Sequence, residues 1–231
     1  MYPPIIALHG NFGSPEIWDE FPIQGIVPVD LWQYSGLSYP KFADQLVEDF
    51  ASNGRKPILM GYSLGGRLAM NVLSLYPENW SGAVLLSAHS GIADISDKDA
   101  RLESDLEWAR RVREEPWDEV LRAWNEQTVL ANSPVWPCVE QLESRREQIA
   151  EAFDNWSLGR QVDLKASLGR FTAPVLWITG EDDEKFTQVG REMDGIFRDF
   201  QHVIVPNCGH RVVTKDVAAT VSAWLEDREL R

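Results

Sequence analysis

Short apolar runs bounded by glycine or proline recur along the chain and alternate with amphipathic segments. Runs that are hydrophobic at every position are typical of strands buried on both faces of a sheet. This pattern predicts six strands, over residues 5–8, 26–31, 57–60, 83–86, 175–178 and 202–205.

Apolar residues at four-residue spacing predict helices between these strands. Residues 39–51 place Phe42, Leu46 and Phe50 on one helical face, and the same spacing recurs over 64–75 and 216–225. Alternating strands and helices are typical of an α/β fold, in which a mostly parallel sheet is flanked by helices. In such a fold the reactive side chains lie at the edge of the sheet that is formed by the carboxyl ends of the strands.

Residues 91–171 interrupt this alternation because they contain no convincing strand. We predict helices there over 98–113, 117–129, 138–153 and 162–168. Five of the ten tryptophans lie in this segment, namely Trp108, Trp117, Trp124, Trp136 and Trp156. We therefore expect a helical cap inserted into a core formed by residues 1–90 and 172–231. A cap above the strand ends commonly encloses a substrate pocket.

Charge and composition argue against several classes of function. The 231-residue chain has 22 basic and 36 acidic residues, for a net charge of −14. This balance disfavours binding to nucleic acid or to an anionic membrane surface. The sequence shows neither a membrane-spanning apolar run nor a signal peptide. Because the chain has only two cysteines, Cys138 and Cys208, and they match no metal-binding spacing, we expect a reduced, cytoplasmic protein. We further expect a monomer or weak homo-oligomer.

The strongest chemical motif is Gly-Tyr-Ser-Leu-Gly-Gly at residues 61–66. It fits the pattern G-x-S-x-G, follows a predicted strand and opens a predicted helix. Small neighbours allow Ser63 to occupy a sharp, strained turn, and the Leu64 N–H at the helix start can stabilise an oxyanion. The alternative is a tight turn that merely contains a serine, but the strand-turn-helix setting disfavours it.

A serine hydroxyl needs a base, and His210 is the strongest candidate. It follows the last predicted strand and therefore shares the sheet edge with Ser63. His202 begins a strand and should be structural, and His9 should shape the loop beside it. His89, near the mouth of the predicted pocket, is the rival base.

The acid of a catalytic triad is expected in the acidic segment after the fifth strand, which we otherwise interpret as a solvated loop. Spacing alone does not separate Asp182 from Asp183. A second oxyanion donor is expected in the glycine-containing loop after the first strand, most simply the backbone N–H of Asn11. The chain order serine, aspartate, histidine is typical of α/β-hydrolases.

Taken together, these motifs resemble the α/β-hydrolase superfamily over about residues 5–224. Residues 61–70 and the segment Gly180-Glu181-x-Asp183-x-Lys185-Phe186 further resemble the 2-succinyl-6-hydroxy-2,4-cyclohexadiene-1-carboxylate (SHCHC) synthases of menaquinone and phylloquinone biosynthesis. The resemblance identifies Asp183 as the triad acid. It places substrate-binding positions on Tyr62, Arg67, Arg101, Trp124 and, for a further arginine, on Arg145 or Arg146.

The resemblance implies a carbon–carbon lyase that eliminates pyruvate from the polycarboxylate 2-succinyl-5-enolpyruvyl-6-hydroxy-3-cyclohexene-1-carboxylate. The triad would act as a base, and neither a metal nor an organic cofactor would be needed. One alternative is a serine carboxylesterase or thioesterase that forms an acyl-enzyme with the same triad, and another is a non-catalytic binding protein. Residues 30–36 replace the family's Gly-His-Gly loop, so the resemblance does not assign the residues that form the pocket wall there.

Overall fold

The computed structural model describes residues 3–52, 54–130, 133 and 139–230. Trp136, Cys138 and the start of the helix predicted over 138–153 lie outside these residues. Six strands form one parallel sheet in the order β2-β1-β3-β4-β5-β6. They are β1 (Ile5–Leu8), β2 (Ile26–Val29), β3 (Ile58–Tyr62), β4 (Gly82–Leu86), β5 (Val175–Gly180) and β6 (Phe200–Val205). The predicted α/β class is confirmed.

Helices cover both faces of the sheet, and four of those in the described part of the chain lie between β4 and β5. The helices are α1 (Tyr39–Phe50), α2 (Leu64–Leu75), α3 (Ile95–Glu114), α4 (Trp117–Asn125), α5 (Arg146–Asn155), α6 (Lys165–Leu168), α7 (Glu184–Glu192) and α8 (Lys215–Asp227). Short 3-10 turns occur at Pro15–Trp18, Leu31–Tyr34, Pro77–Asn79, Thr128–Leu130 and Val139–Arg145. None of the helices within the described ranges is long and apolar enough to cross a bilayer.

The four inner strands bury side chains on both faces of the sheet, as their composition predicts, whereas the edge strands β2 and β6 are partly exposed. In β1, Ile6 and Leu8 join the core cluster that also contains apolar residues of α1 and α2. Ile5 and Ala7 point the other way, into the cluster that contains residues of α8. Because successive side chains of a strand alternate between faces, a continuous apolar run supplies two cores at once.

Several predicted boundaries differ from the structure, and two of these differences lie beside the strand ends. The second strand ends at Val29, and not at residue 31, because the Asp30 carboxylate accepts a hydrogen bond from the Trp32 N–H and starts a 3-10 turn. The supposed loop after the fifth strand contains helix α7. Its acidic first residues resemble a solvated loop, but carboxylates are also favoured at a helix N-terminus.

The strand order changes direction between β1 and β3, and the carboxyl ends of these two strands lie at the edge where we expect the reactive groups. β1 lies between β2 and β3, so the loops that leave β1 and β3 diverge and open a crevice at their carboxyl ends. Ligands of open α/β sheets bind in such a crevice. The loops after β4, β5 and β6 end at the same edge, and α3 to α6 follow β4 in the segment predicted as a cap.

Candidate active site

Ser63, His210 and Asp183 come together in one hydrogen-bonded chain although they are far apart in the sequence. The distance from His210 Nε2 to Ser63 Oγ is 3.0 Å, and that from His210 Nδ1 to Asp183 Oδ2 is 2.6 Å. The histidine and the aspartate are 4% and 5% exposed, so water competes little for their hydrogen bond. With the carboxylate accepting from Nδ1–H, Nε2 is left to take a proton from the serine hydroxyl.

The turn that presents Ser63 is strained and closely packed. Ser63 has φ 51° and ψ −108°, a left-handed conformation that is unfavourable for a residue with a side chain. A Cβ atom added to Gly65 would lie 2.2 Å from the Leu8 carbonyl oxygen, and one added to Gly61 would lie 2.4 Å from the Gly65 carbonyl oxygen. Glycine is therefore required at both positions for helix α2 to start directly above the strand ends.

A close approach of two loops also brings the acid and the base together. Asp183 immediately precedes helix α7 after the end of β5, and His210 lies in the loop after β6. A Cβ atom on Gly180 would lie 2.1 Å from the Cys208 carbonyl oxygen. The missing side chain at Gly180 thus lets the loop with His210 pack against the end of β5.

The loop after β1 faces the serine, as the sequence predicts for an oxyanion loop. Asn11 and Phe12 line the same cavity as Ser63, and Leu64 is the first residue of helix α2. The N–H groups of a first helical turn have no partner within the helix. The Asn11 side-chain oxygen is buried without a hydrogen-bond partner among the described residues, and a ligand hydroxyl is the kind of group that satisfies such an acceptor.

The triad opens into a cavity of about 220 Å³ between the strand ends and the helices α3 and α4. Its lining combines aromatic and cationic side chains with one carboxylate, that of Asp105. It includes Tyr62, Arg67, His89, Arg101, Trp108, Trp124, Lys185, Phe186 and Arg211. Among the described residues no group of three or more His, Cys, Asp or Glu side chains is arranged to bind a metal ion.

The other three histidines occupy different environments from His210. His9 is fully buried, donates from Nδ1 to the Gly10 carbonyl and accepts from the Leu31 N–H, so it shapes the oxyanion loop. Burial lowers its pKa to about 4. His202 contacts the Thr179 hydroxyl at 2.8 Å, away from the serine.

His89, the rival base, lines the cavity but is held in a neutral form. The Gly91 N–H donates to its Nδ1 at 3.1 Å, so its proton resides on Nε2. Burial, with the nearby charges of Lys185 and Arg67, lowers the pKa of His89 to about 3. A base needs a free nitrogen lone pair directed at the reacting group, and the lone pair of Nδ1 is engaged by the backbone.

Arg67 and Arg101 both line the cavity but are held by different partners. Arg67 is 6% exposed, and its Nη1 donates to the Tyr39 hydroxyl at 2.6 Å and to the Trp156 carbonyl at 2.8 Å. Burial lowers its pKa. Arg101 pairs with the buried Asp105 carboxylate at 2.9 Å. Arg67 thus joins helix α2 to the segment between β4 and β5 as well as facing the site.

The further substrate arginine implied by the resemblance does not face the cavity. Arg145 extends toward Asp30, with 3.4 Å between Nη2 and Oδ2, and its side chain is 43% exposed. Arg146 donates from Nε to the Val112 carbonyl at 2.7 Å and lies over the Trp117 ring. Neither lines the cavity formed by the described residues. The prediction of a pocket role for one of them is therefore not supported by this geometry.

Arg211 is a cavity residue that the sequence interpretation missed. It is 7% exposed, lies directly after His210, and burial lowers its pKa. The only sequence signal was its position beside the predicted base, which does not reveal the direction of its side chain. The predicted Trp124 does lie on the wall, with its ring centroid 4.6 Å from that of Phe12 and 5.1 Å from that of Trp108.

The fold and the site define an α/β-hydrolase, and the comparison with family models agrees. Residues 5–223 match the model of the alpha/beta hydrolase family. The chain also resembles MenH from S. aureus with a TM-score of 0.82 and 18% identity, covering 98% of this chain and 94% of that one. It resembles a putative non-heme bromoperoxidase, BpoC from Mycobacterium tuberculosis H37Rv, with a TM-score of 0.73 and 16% identity over 100% and 94% of the two chains.

Relatives with higher sequence identity show to which family of alpha/beta hydrolases the chain belongs. The 2-succinyl-6-hydroxy-2,4-cyclohexadiene-1-carboxylate synthase of Klebsiella pneumoniae is 31% identical over 96% of this chain and 92% of its own length. The synthase of the same name from Pectobacterium atrosepticum is 32% identical over 80% and 79%. The chain therefore belongs to the SHCHC synthase family within the alpha/beta hydrolases.

Proposed function

We propose that the protein is an SHCHC synthase that eliminates pyruvate from 2-succinyl-5-enolpyruvyl-6-hydroxy-3-cyclohexene-1-carboxylate. The observation that carries the proposal is the Ser63–His210–Asp183 chain opening into a cavity with arginines on its wall. The substrate carries several carboxylates, and arginine binds carboxylates through two parallel hydrogen bonds while keeping its charge. Membership of the SHCHC synthase family supports the same reaction.

Local charge explains how a protein with a net charge of −14 can bind a polyanion. Long-range repulsion between exposed charges is largely screened beyond about 10 Å at ordinary ionic strength. Inside the cavity the screening is weaker, and Arg67, Arg101 and Lys185 are the near charges on one wall. The aromatic side of the cavity, including Trp124 and Tyr62, packs against the ring.

The triad acts as a base in this proposal. Ser63 Oγ removes the ring proton next to the succinyl ketone and passes its own proton to His210 Nε2, 3.0 Å away. Asp183 stabilises the imidazolium that forms. The electron pair of the broken C–H bond delocalises onto the ketone oxygen as an enolate, which the N–H groups of Asn11 and Leu64 stabilise.

Collapse of the enolate completes the elimination. The electron pair returns into the ring, the ring double bond shifts, and the bond between the ring carbon and the enolpyruvyl oxygen breaks. Because the broken bond joins carbon to oxygen, the reaction is that of a carbon–oxygen lyase, and the expectation of a carbon–carbon lyase is wrong in this respect. The imidazolium of His210 returns its proton to the departing enolate, which is released as pyruvate, and Ser63 is restored to its hydroxyl form. No bond forms between the serine and the substrate, in contrast to an esterase or thioesterase.

The experiment compares pyruvate release by the wild-type protein with that by Ser63→Ala. We expect the substitution to lower kcat at least about 1,000-fold, since it removes the base and its link to His210. Ser52→Ala is the matched control, because Ser52 is exposed and donates only to the Glu48 carbonyl among the described residues. Its kcat should be unchanged.

Assays on the same purified protein distinguish a lyase from a serine hydrolase. Rapid hydrolysis of p-nitrophenyl acetate or of an acyl thioester without pyruvate release would replace the proposal with a serine hydrolase. Full pyruvate release by Ser63→Ala would contradict the role of the triad as the base.

A further inference from the structure

Cationic side chains of the cavity surround one neutral ring, that of His89. Arg67 from α2, Arg101 from α3 and Lys185 from α7 line the cavity with this ring and lie near enough to lower its pKa. One carboxylate lies among them, that of Asp105, and it pairs with Arg101 at 2.9 Å. Around the imidazole the lining thus carries three positive charges and one negative charge, a balance that favours an anionic ligand.

The turn that contains His89 fixes the orientation of its ring. Nδ1 accepts a hydrogen bond from the Gly91 N–H at 3.1 Å. Gly91 has a φ of 122°, and a Cβ atom there would lie 2.3 Å from the Val162 carbonyl oxygen, so the turn requires glycine. The Gln161 side-chain amide donates to the His89 carbonyl at 3.0 Å. Contacts with residues 161 and 162 therefore hold the histidine and its turn in one place.

The Nε2–H group of His89 remains available to a ligand. Because Nδ1 is an acceptor, the ring proton lies on Nε2. Within the described ranges Nε2 forms no hydrogen bond, and it is not one of the unpaired polar atoms that are sealed from solvent. Since the ring lines the cavity, Nε2–H is a donor that the described residues leave unsatisfied. The ring is neutral when it donates, because burial and the neighbouring cations lower its pKa to about 3.

We propose that His89 is a specificity-determining residue whose Nε2–H donates a hydrogen bond to a substrate carboxylate held by the surrounding cations. The inference rests on the proposed function for the identity of the ligand. A carboxylate can accept several hydrogen bonds, so it can bind the neutral donor and the cations together. A neutral donor adds a directed hydrogen bond to the site. A fourth cation in its place would be repelled by the other three before the ligand binds.

Two substitutions separate the roles of the two ring nitrogens. In His89→Asn the side-chain oxygen can accept from the Gly91 N–H as Nδ1 does, but the side chain is too short to reach the position of Nε2. In His89→Gln the longer amide reaches that position and donates there, while the Gly91 N–H loses its acceptor. The first variant should keep its stability and lose the substrate contact, and the second should do the reverse.

The test measures binding of the proposed substrate by calorimetry in the inactive Ser63→Ala background. We expect Kd to rise about 10- to 100-fold in His89→Asn, because a hydrogen bond to a charged group is lost. In His89→Gln, Kd should stay within about threefold of the value without that substitution, although the melting temperature falls. If His89 only supported the fold, the variant with the lower melting temperature would be the one that binds less tightly.

His202→Asn is the matched control in the same background. His202 contacts the Thr179 hydroxyl at 2.8 Å and does not line the cavity formed by the described residues. Its substitution should leave Kd unchanged, whatever its effect on the melting temperature. With Ser63 present, His89→Asn should raise KM by a factor similar to the rise in Kd and change kcat less than about threefold, because the contact is made in the ground state and the transition state alike.

The outcomes distinguish the His89 contact from the proposed function. A higher Kd in His89→Asn but no pyruvate release by the wild-type protein would support the contact and contradict the lyase. Pyruvate release by the wild-type protein with an unchanged Kd in His89→Asn would overturn the contact and leave the lyase in place. An equal rise in Kd in His89→Gln would overturn it as well, since the donor would then have no effect.

A further variant decides the matter if His89→Asn does not fold. His89→Met has nearly the length of His89→Gln but no N–H group, so the two differ chiefly in the donor. We expect Kd to be about 10- to 100-fold higher in His89→Met than in His89→Gln. Equal Kd values in these two variants, or no binding of the substrate at all, would overturn the contact.

Discussion

At the scale of single residues, the sequence predicted the site residue that belongs to a local motif. It did not predict side chains whose direction depends on packing between segments that are far apart in the chain. Ser63 was identified because its glycine neighbours and the following helix are adjacent in sequence. Asp183 could not be separated from Asp182 by spacing, since both lie at the end of β5. Only Asp183 points at His210, with 2.6 Å between the bonded atoms. Arg211 was missed because its direction depends on Asn125, 86 residues away.

Neutral buried histidines predict how the stability of the protein depends on pH. The pKa of His9 is lowered from its ordinary value of 6.5 to about 4 by burial. Between these values the unfolded chain binds the proton and the folded protein does not, so stability rises with pH. The stabilisation is complete above about pH 6.5 and is lost as the pH falls toward 4, by roughly 3 kcal/mol in total.

Urea unfolding of the wild-type protein and His9→Asn at pH 7.0 and pH 4.5 checks this contribution. The variant should be less stable at pH 7.0, because the Leu31 N–H loses its imidazole acceptor. Its free energy of unfolding should then fall less between the two pH values than that of the wild-type protein. Equal losses in both proteins would show that His9 titrates normally.

At the scale of elements, short apolar runs predicted the six strands of the described sheet. The four inner strands are buried along their whole length, whereas the edge strands β2 and β6 are partly exposed. The helix α7 was not predicted, since its acidic start has the composition of a surface loop. The first turn of α3 was also missed, although the Asp94 carboxylate accepts a hydrogen bond from the Asp97 N–H and caps the helix there. In both cases the helix begins with polar residues, so the apolar spacing that predicts a helix is absent from its first turn.

The junction between β3 and α2 is predicted to tolerate no side chain at Gly65. In Gly65→Ala the new Cβ would meet the Leu8 and His9 carbonyl oxygens at 2.2 and 2.5 Å. Backbone atoms cannot move aside as a flexible side chain can, so we expect a loss of about 3 kcal/mol of unfolding free energy.

The matched control is Gly36→Ala, where the nearest atom to an added Cβ is Glu151 Oε2 at 4.0 Å. Urea denaturation of both variants gives the comparison. If Gly65→Ala and Gly36→Ala have the same free energy of unfolding, the prediction is wrong, and the backbone around Ser63 has room for a Cβ atom at residue 65.

At the scale of the whole molecule, the sheet provides the triad and the helices between β4 and β5 provide much of the pocket. Arg101, Trp108 and Trp124 come from that segment, whereas Ser63 and His210 come from loops at the strand ends. The two parts meet through Arg67, which contacts the Trp156 carbonyl at 2.8 Å. The division of the chain into a core and an inserted cap stays a prediction. Composition alone did not show which cations between β4 and β5 face the cavity, because helix faces rich in arginine and glutamate have the same composition whether or not they line a site.

The central claim is that the triad removes a ring proton to eliminate pyruvate. Its most direct test is the rate of pyruvate formation in a single turnover with excess protein, comparing the substrate with one deuterated at the ring carbon next to the succinyl ketone. The account predicts that deuteration slows pyruvate formation severalfold, because the C–H bond breaks during the reaction. Identical rates for the two substrates, together with a mass increase on Ser63, would contradict it and indicate an acyl-enzyme.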